Sequence, residues 1–304
     1  MNITILLHST TGNTRLIARY ASKWLQKRGH DVHLVDIHST PPPPQPENMD
    51  LSDTDLLVVA NPSMYFRPTV AMERFVSRLP AREEGEPRAA FLLGTCMGEP
   101  GAHFALLAET LEPKGWPVIG AHWVLCPSNY PTHLAAVKRL QGLSMLRPRL
   151  DHHLRALRPL WWSLWPDGEP DEGDREELDS ALRGLLHTLR HHDLTPLRPN
   201  DLYRGIPTCN AQGRLFPVEL LDRIVGIEVL EDACVRCGAC VRACPAGVLT
   251  HPSPEGLPEV GTGCMGCFAC YNACPEAALK AVATPPGRGV YKGPSPSMRA
   301  LFSL

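Results

Sequence analysis

No apolar run in this 304-residue chain approaches the ~20 residues needed to span a bilayer. Net charge is nearly absent as well. The 30 Lys and Arg against 32 Asp and Glu leave −2, so neither nucleic acid nor an anionic membrane is implied as a partner. The chain opens with an apolar, strand-like stretch, Ile3 to Leu7, where a secreted protein would carry a basic segment and a signal core. That predicts a cytoplasmic protein with reduced thiols. No nucleophile–base pair, carboxylate pair or nicotinamide site is legible, and no Cys-x3-Cys-x2-Cys run occurs that would leave one iron open for radical chemistry.

Cysteine, by contrast, is abundant and ordered. Cys234-x2-Cys237-x2-Cys240-x3-Cys244-Pro245 is followed thirty residues on by Cys264-x2-Cys267-x2-Cys270-x3-Cys274-Pro275. The two runs hold eight of the eleven cysteines. Structural zinc would use paired Cys-x2-Cys knuckles, which this spacing does not fit. Three close thiolates can wrap one side of a four-iron cluster while the fourth reaches the other cluster. Crossed ligation is therefore predicted. Cys234, Cys237, Cys240 and Cys274 hold one 4Fe–4S centre, and Cys264, Cys267, Cys270 and Cys244 hold the second. Val235, Val241, Val248, Phe268 and Leu279 are expected to supply an apolar shell. The thirty-residue echo is the only internal repeat legible in the chain, a two-fold duplication of one unit.

The first half alternates apolar strands with amphipathic helical stretches. Strands are predicted at Asn2–Leu7, Asp31–Asp36, Asp55–Ala60, Ala89–Thr95 and Val118–Leu125. Helices are predicted at Thr14–Arg28, Val70–Leu79 and Ala102–Lys114. Five strands with helices between them imply an α/β doubly wound parallel sheet, and runs such as Leu56-Leu57-Val58-Val59 suit a sheet buried on both faces. Leu134–Leu146 is expected to be the last covering helix.

Ser9-Thr10-Thr11-Gly12-Asn13-Thr14 falls between the first strand and first helix, at the carboxyl end of a strand, where such sheets bind ligands. Its hydroxyls can donate to a phosphate, Gly12 permits close backbone approach, and the free helix amides add partial positive charge. The loop has no Gly-Lys-Ser/Thr ending and no Gly-x-Gly-x-x-Gly pattern, so it is neither a nucleotide P-loop nor a dinucleotide fingerprint. The bland alternative is a hydroxyl-rich helix cap at Thr11 or Thr14.

Ser-x-Thr-Gly-Asn-Thr after a first strand resembles the FMN phosphate loop of flavodoxins. The resemblance implies strand order 2-1-3-4-5 with FMN, rather than FAD, at the switch point. The loop at 61–68, with Pro62, Ser63, Met64, Tyr65 and Phe66, looks like the first flavin-ring loop. The loop at 94–101, with Thr95, Cys96, Met97 and Gly98, looks like the second. Lys114 to Gly120, Pro127-Ser128-Asn129-Tyr130 and Gly289-Val290-Tyr291 resemble proteins that fuse a flavodoxin-like domain to a two-cluster ferredoxin. The likeness covers about 1–140 and 228–292. Flavodoxins often sandwich the flavin between two aromatics. Here the second ring loop offers Met97 instead, leaving Tyr65 or Phe66 to stack on one face and Tyr130 to approach from the fifth strand.

This reading divides the chain into a flavodoxin-like domain at 1–195 (core 1–150), a linker at 196–226, and a small α+β ferredoxin-like two-cluster domain with a tail at 227–304. Between them lie a second helix, Glu176–Leu189, an acid-rich stretch from Asp167 to Asp179, and Trp161, Trp162 and Trp165, expected at the domain junction. The acids suit a helix start facing the macrodipole better than a docking patch. The expected function is electron transfer between the clusters and FMN, serving an unidentified redox partner protein. A flavin-dependent reductase acting on a quinone, nitro compound or ferric chelate is the first alternative, and a redox sensor the second.

Overall fold

The computed structural model describes residues 1–38, 44–81, 88–131, 169–203, 211, 225–253, 255–281 and 290–304. Five strands form the larger sheet: β1 (Asn2–Leu7), β2 (Asp31–Asp36), β3 (Leu56–Pro62), β4 (Ala89–Cys96) and β5 (Val118–Leu125). All pairs are parallel and the order is β2-β1-β3-β4-β5, the flavodoxin-like doubly wound arrangement. Side chains on a strand point alternately to opposite faces, so each strand feeds two cores. Ile3, Ile5, Leu7, Val58, Phe91 and Leu93 turn to one face, where α1 (Asn13–Gln26) lays Ile17, Tyr20, Trp24 and Leu25. Leu6, Leu57, Val59 and Leu92 turn to the other, under α2 (Val70–Ser77) and α3 (His103–Leu111). Each buried Leu or Ile contributes about 1.5–3 kcal/mol, which is why the strands read as nearly continuous apolar runs.

The first face has a further cover. Helix α4 (Glu172–Arg190) buries Leu178, Leu182, Leu185 and Leu186 in the same core as Ile119 and Val124 of β5. Its acidic start is a capping box. The Asp171 carboxylate accepts from the Asp174 amide at 3.1 Å, and the Asp174 carboxylate accepts from the Asp171 amide at 2.8 Å. The helix expected at 134–146 and the three tryptophans at 161–165 lie outside the described residues.

Two segments placed elsewhere by the sequence reading lie on this sheet. Leu197, Leu202 and Tyr203, from the stretch expected to be a linker, pack on the α2/α3 core, and the Leu197 amide donates to the Val118 carbonyl at 2.8 Å. Leu202 ends a single helical turn, α5 (Pro199–Leu202). The tail expected to belong with the cysteine runs also returns. Its helix α8 (Pro296–Leu301) and the residue after it bury Met298 and Phe302 in the α1 core, with Phe302 edge-on to Tyr20 at 5.3 Å between ring centroids.

The cysteine-rich part is small and two-fold. β6 (Glu228–Val229) pairs antiparallel with β9 (Leu279–Lys280), and β7 (Leu249–Thr250) with β8 (Glu259–Val260). Short helices α6 (Ala239–Ala243) and α7 (Ala269–Ala273) lie at equivalent places in the two runs. The duplication extends to the backbone. Left-handed φ at Arg236, Gly238 and Gly247 recurs thirty residues on at Gly266, Phe268 and Ala277. Glycine relieves that conformation at only one member of the Gly238/Phe268 and Gly247/Ala277 pairs, so geometry, not residue type, is what the repeat preserves.

Candidate functional site

A cleft of about 560 Å³ opens at the carboxyl ends of the strands, at the point where the strand order reverses. Ser9, Thr10, Thr11, Asn13 and Thr14 line one end. Pro62, Ser63, Met64, Tyr65 and Phe66 line a second side, and Thr95, Cys96, Met97 and Gly98 a third. Cys126 to Tyr130, after β5, close it. Cross-links fix these loops to each other. Thr14 and Thr95 share a hydroxyl–hydroxyl bond of 2.7 Å, and the Ser63 amide donates to the Thr95 carbonyl at 2.8 Å. Burial pushes the Cys96 thiol pKa up, and that thiol donates to the Gly98 carbonyl, so it is an inert wall residue rather than a ready nucleophile.

The phosphate-like loop departs from expectation in three details. The cap residue of α1 is Gly12, at φ 103°, and no side chain caps the helix, so Thr11 and Thr14 are not capping residues. Gly12 does not line the cleft. A Cβ there would lie 3.0 Å from Cδ of Pro294, so its missing side chain makes room for the returning tail. Asn13 lines the cleft, yet its side chain is already engaged: Nδ2 donates to the Pro127 carbonyl at 3.1 Å and Oδ1 accepts from the Tyr291 hydroxyl.

The 61–68 loop carries strain. Tyr65 and Phe66 occupy both central positions of a tight turn with φ of 55° and 63°, closed by reciprocal backbone bonds between Met64 and Arg67. Left-handed conformations at two successive non-glycine residues are costly and persist where the surrounding structure over-determines the turn. Phe66 lines the cleft. Tyr65 lines it too, but its hydroxyl pairs with that of Tyr130 and donates to the Gly266 carbonyl at 3.3 Å. The two rings meet edge-on at 5.7 Å, and Tyr130 lies 4.5 Å from the Phe268 ring. Both tyrosines thus line the cleft and hold the second cysteine run at the same time.

The thiols gather as two sets of four around two apolar cavities. Cys234, Cys237, Cys240 and Cys274 line one, with Val229, Val235 and Leu279. Cys244, Cys264, Cys267 and Cys270 line the other, with Val225, Val248 and Phe268. Each set draws its fourth cysteine from the opposite run. Burial pushes the Cys267 thiol up to about 12 and raises that of Cys270, and the neighbouring Cys244 and Cys264 add to both. Uncompensated, four such thiolates could not share an apolar pocket, so this donor set fits a cationic iron–sulfur core. Among the described residues, no group of three or more His, Cys, Asp or Glu closes on one metal ion. Each set rings a cavity instead, as a multi-iron cluster requires. Val235, expected in the apolar shell, is 62% exposed, and Cys237 is exposed beside it.

The Cys264 set abuts the cleft. Met64 and Val70 pack with Met265, Cys267 and Ala269. Asn129 Nδ2 donates to the Cys267 carbonyl at 2.8 Å, and Asn272 Nδ2 donates to the Asn129 carbonyl at 3.0 Å. The loops at 61–68 and 127–130 make this junction. Asn129 stood out only as part of the resemblance at 127–130, and Asn272 carried no signal in the sequence, because a single amide between two distant loops has no periodicity to betray it.

Residues 227–275 match the family described as the 4Fe-4S dicluster domain. Among curated proteins, no sequence matches the chain. Among solved structures, the chain is similar to the two-electron reduced flavodoxin of Megasphaera elsdenii, at 21% identity over 40% of this chain and 84% of that one, with a TM-score of 0.31. It is likewise similar to a flavodoxin from the domain Archaea, at 19% over 42% and 85%, with a TM-score of 0.31. A flavone reductase matches at 12% over 41% and 54%, with a TM-score of 0.34. The fold assignment rests on this chain's own strand order, not on overlaps of that size. The chain joins a flavodoxin-like sheet to a segment similar to the 4Fe-4S dicluster domain, which supports a redox, electron-transfer role. Among the described residues, no helix is long and apolar enough to cross a membrane.

Proposed function

We propose that the chain is an electron carrier. Cys234, Cys237, Cys240 and Cys274 hold one 4Fe–4S cluster, Cys264, Cys267, Cys270 and Cys244 hold a second, and the cleft holds FMN. When bound, these groups supply one-electron steps at the clusters and a two-electron store at the flavin. Ser9, Thr10 and Thr11 and the uncapped amides of α1 bind the flavin phosphate, a terminal group that suits FMN and not FAD. Pro62 to Phe66 and Thr95 to Gly98 border the ring. The apolar walls around both thiol sets exclude water and set the potentials. The observation that carries this reading is the junction itself: the Cys264 set and the cleft share Met64, Tyr65, Asn129 and Tyr130 as a common wall. Electrons are exchanged with a redox partner protein.

Anaerobically prepared protein is expected to contain about eight irons, about eight acid-labile sulfides and about one FMN per chain. A one-electron donor should reduce the clusters first and the flavin afterwards, at a rate independent of protein concentration. About four irons, FAD in place of FMN, or a flavin rate that rises with concentration would each overturn the proposal. One observation favours a second reading, direct reduction of a small acceptor such as a quinone. The 94–101 loop offers Met97 and Gly98 to the cleft and no aromatic ring, which leaves one flavin face open. Steady turnover of a quinone without any partner protein distinguishes the two.

A further inference from the structure

A continuous run of hydrogen bonds links the phosphate end of the cleft to the second cysteine run. Asn13, in the phosphate loop, accepts from the Tyr291 hydroxyl. The Tyr291 amide donates to Asn272 Oδ1 at 2.8 Å. Asn272 sits on α7 between Cys270 and Cys274, and its Nδ2 donates both to the Asn129 carbonyl at 3.0 Å and to the Phe268 carbonyl at 2.9 Å. Asn129 Nδ2 then donates to the carbonyl of Cys267. Asn129 lines the cleft, whereas Asn272 and Tyr291 do not. Returning to the start, Asn13 Nδ2 holds the Pro127 carbonyl, two residues from Asn129. Every member is pinned at two or more points, so shifting one loop requires the others to shift.

We propose that Asn272, Asn129 and Tyr291 couple the two sites, so that flavin in the cleft and a cluster on Cys264, Cys267, Cys270 and Cys244 stabilise each other. None of these hydrogen bonds ends on a residue of the Cys234 set, although Cys274 of that set follows Asn272 by two positions. Cys237 of that set is exposed, and the Arg242 guanidinium donates to the Cys237 carbonyl at 3.1 Å, within its own run. The coupling should therefore act more on the Cys264 set, whose Cys267 carbonyl the bonds reach directly, than on the Cys234 set. Asn272 is a positioning residue for the flavin: it lies outside the cleft and acts through Asn129 and Tyr291. This inference rests on the cofactor assignment above.

Mutual stabilisation can be read in two independent measurements, one at the cluster and one at the flavin. In the first, wild-type protein with and without FMN is exposed anaerobically to an iron chelator, and the freed cysteines are alkylated and mapped. Removing FMN should speed release at the Cys264 set about tenfold and leave the Cys234 set within about twofold. Equal acceleration at both sets, or none at either, overturns the coupling. In the second, Asn272→Ala should weaken FMN binding about tenfold with iron content unchanged, and Asn272→Asp, which keeps the acceptor for Tyr291 but turns an oxygen toward the Asn129 and Phe268 carbonyls, should not recover the loss. Unchanged FMN affinity in Asn272→Ala overturns the coupling. If that variant does not hold its iron, the wild-type measurement decides alone. A wild-type chain that binds no flavin refutes the cofactor reading and this inference with it. A chain that binds flavin with its iron release unmoved refutes the coupling only.

Discussion

Gly12 shows how much one residue can carry. At φ 103° it tolerates no L side chain without strain, and Pro294 fills the space a Cβ would need. Gly12→Val should therefore displace the phosphate loop and the returning tail together. FMN binding should be lost and iron content kept, as read by flavin titration and iron assay, at a cost of about 2 kcal/mol in stability from the backbone alone. His8, one residue before the loop, is fully buried. Burial, aided by the nearby His38, lowers its pKa to about 4, and its Nδ1 faces the Thr69 hydroxyl at 2.8 Å. An unfolded His8 protonates near 6.5 while the folded one stays neutral, so the unfolded chain binds more protons between those values. Stability should fall as pH drops through that window, by about 1 kcal/mol from this residue at pH 5.5 relative to pH 7. His8→Asn should flatten the pH dependence of the urea midpoint, and an unchanged slope would show that other groups control it. His103, also buried and lowered to about 3, adds in the same direction.

At the scale of elements, spacing in the sequence was most informative where covalent geometry or periodicity does the work. β1, β3 and β4 were legible because both their faces are buried, and the expected ends of all five strands lie within two residues of those observed. The cysteine runs were legible because three thiols with two residues between neighbours can wrap one side of a cluster, which leaves the fourth to face away. Cys274→Ser should therefore damage the cluster of the run thirty residues upstream more than that of its own run. Spectroscopy of the two clusters, with alkylation mapping of freed thiols, checks this, and loss confined to the Cys264 set would refute the crossed arrangement. Helix α4 was legible as a helix but not as a cover for the sheet. Its stripe of Leu178, Leu182 and Leu185 says that one face is buried, not against what.

For the whole molecule, the return of the tail matters most. Residues after the second cysteine run pass the phosphate loop at Gly293 and Pro294 and end in the core of the first domain. The chain is thus closed on itself, with the cysteine-rich part inserted between two segments of the sheet domain. Phe302→Ala should cost about 3 kcal/mol. Thermal unfolding followed at the sheet domain should shift down, with the iron content of the folded protein unchanged. A variant as stable as the wild type would mean that the tail only rests on the surface. This closure and the shared wall at 61–68 and 127–130 favour a fixed junction over a swinging tether.

Legible in the chain alone were the sheet, its strand order through the family resemblance, and the spacing of the two cysteine runs. Each depends on local spacing that repeats along the chain, through apolar runs, helical period or fixed thiol intervals. Folding alone settles that the Cys264 set abuts the cleft and that Cys237 of the Cys234 set is exposed. It also settles that Tyr65 and Tyr130 grip the cysteine run, and that Asn129, Asn272 and Tyr291 tie it to the phosphate loop. Those contacts join single residues up to 278 positions apart, as Asn13 and Tyr291 are. A lone amide or hydroxyl leaves no pattern in its neighbours, so its partner is settled only when the long loops close.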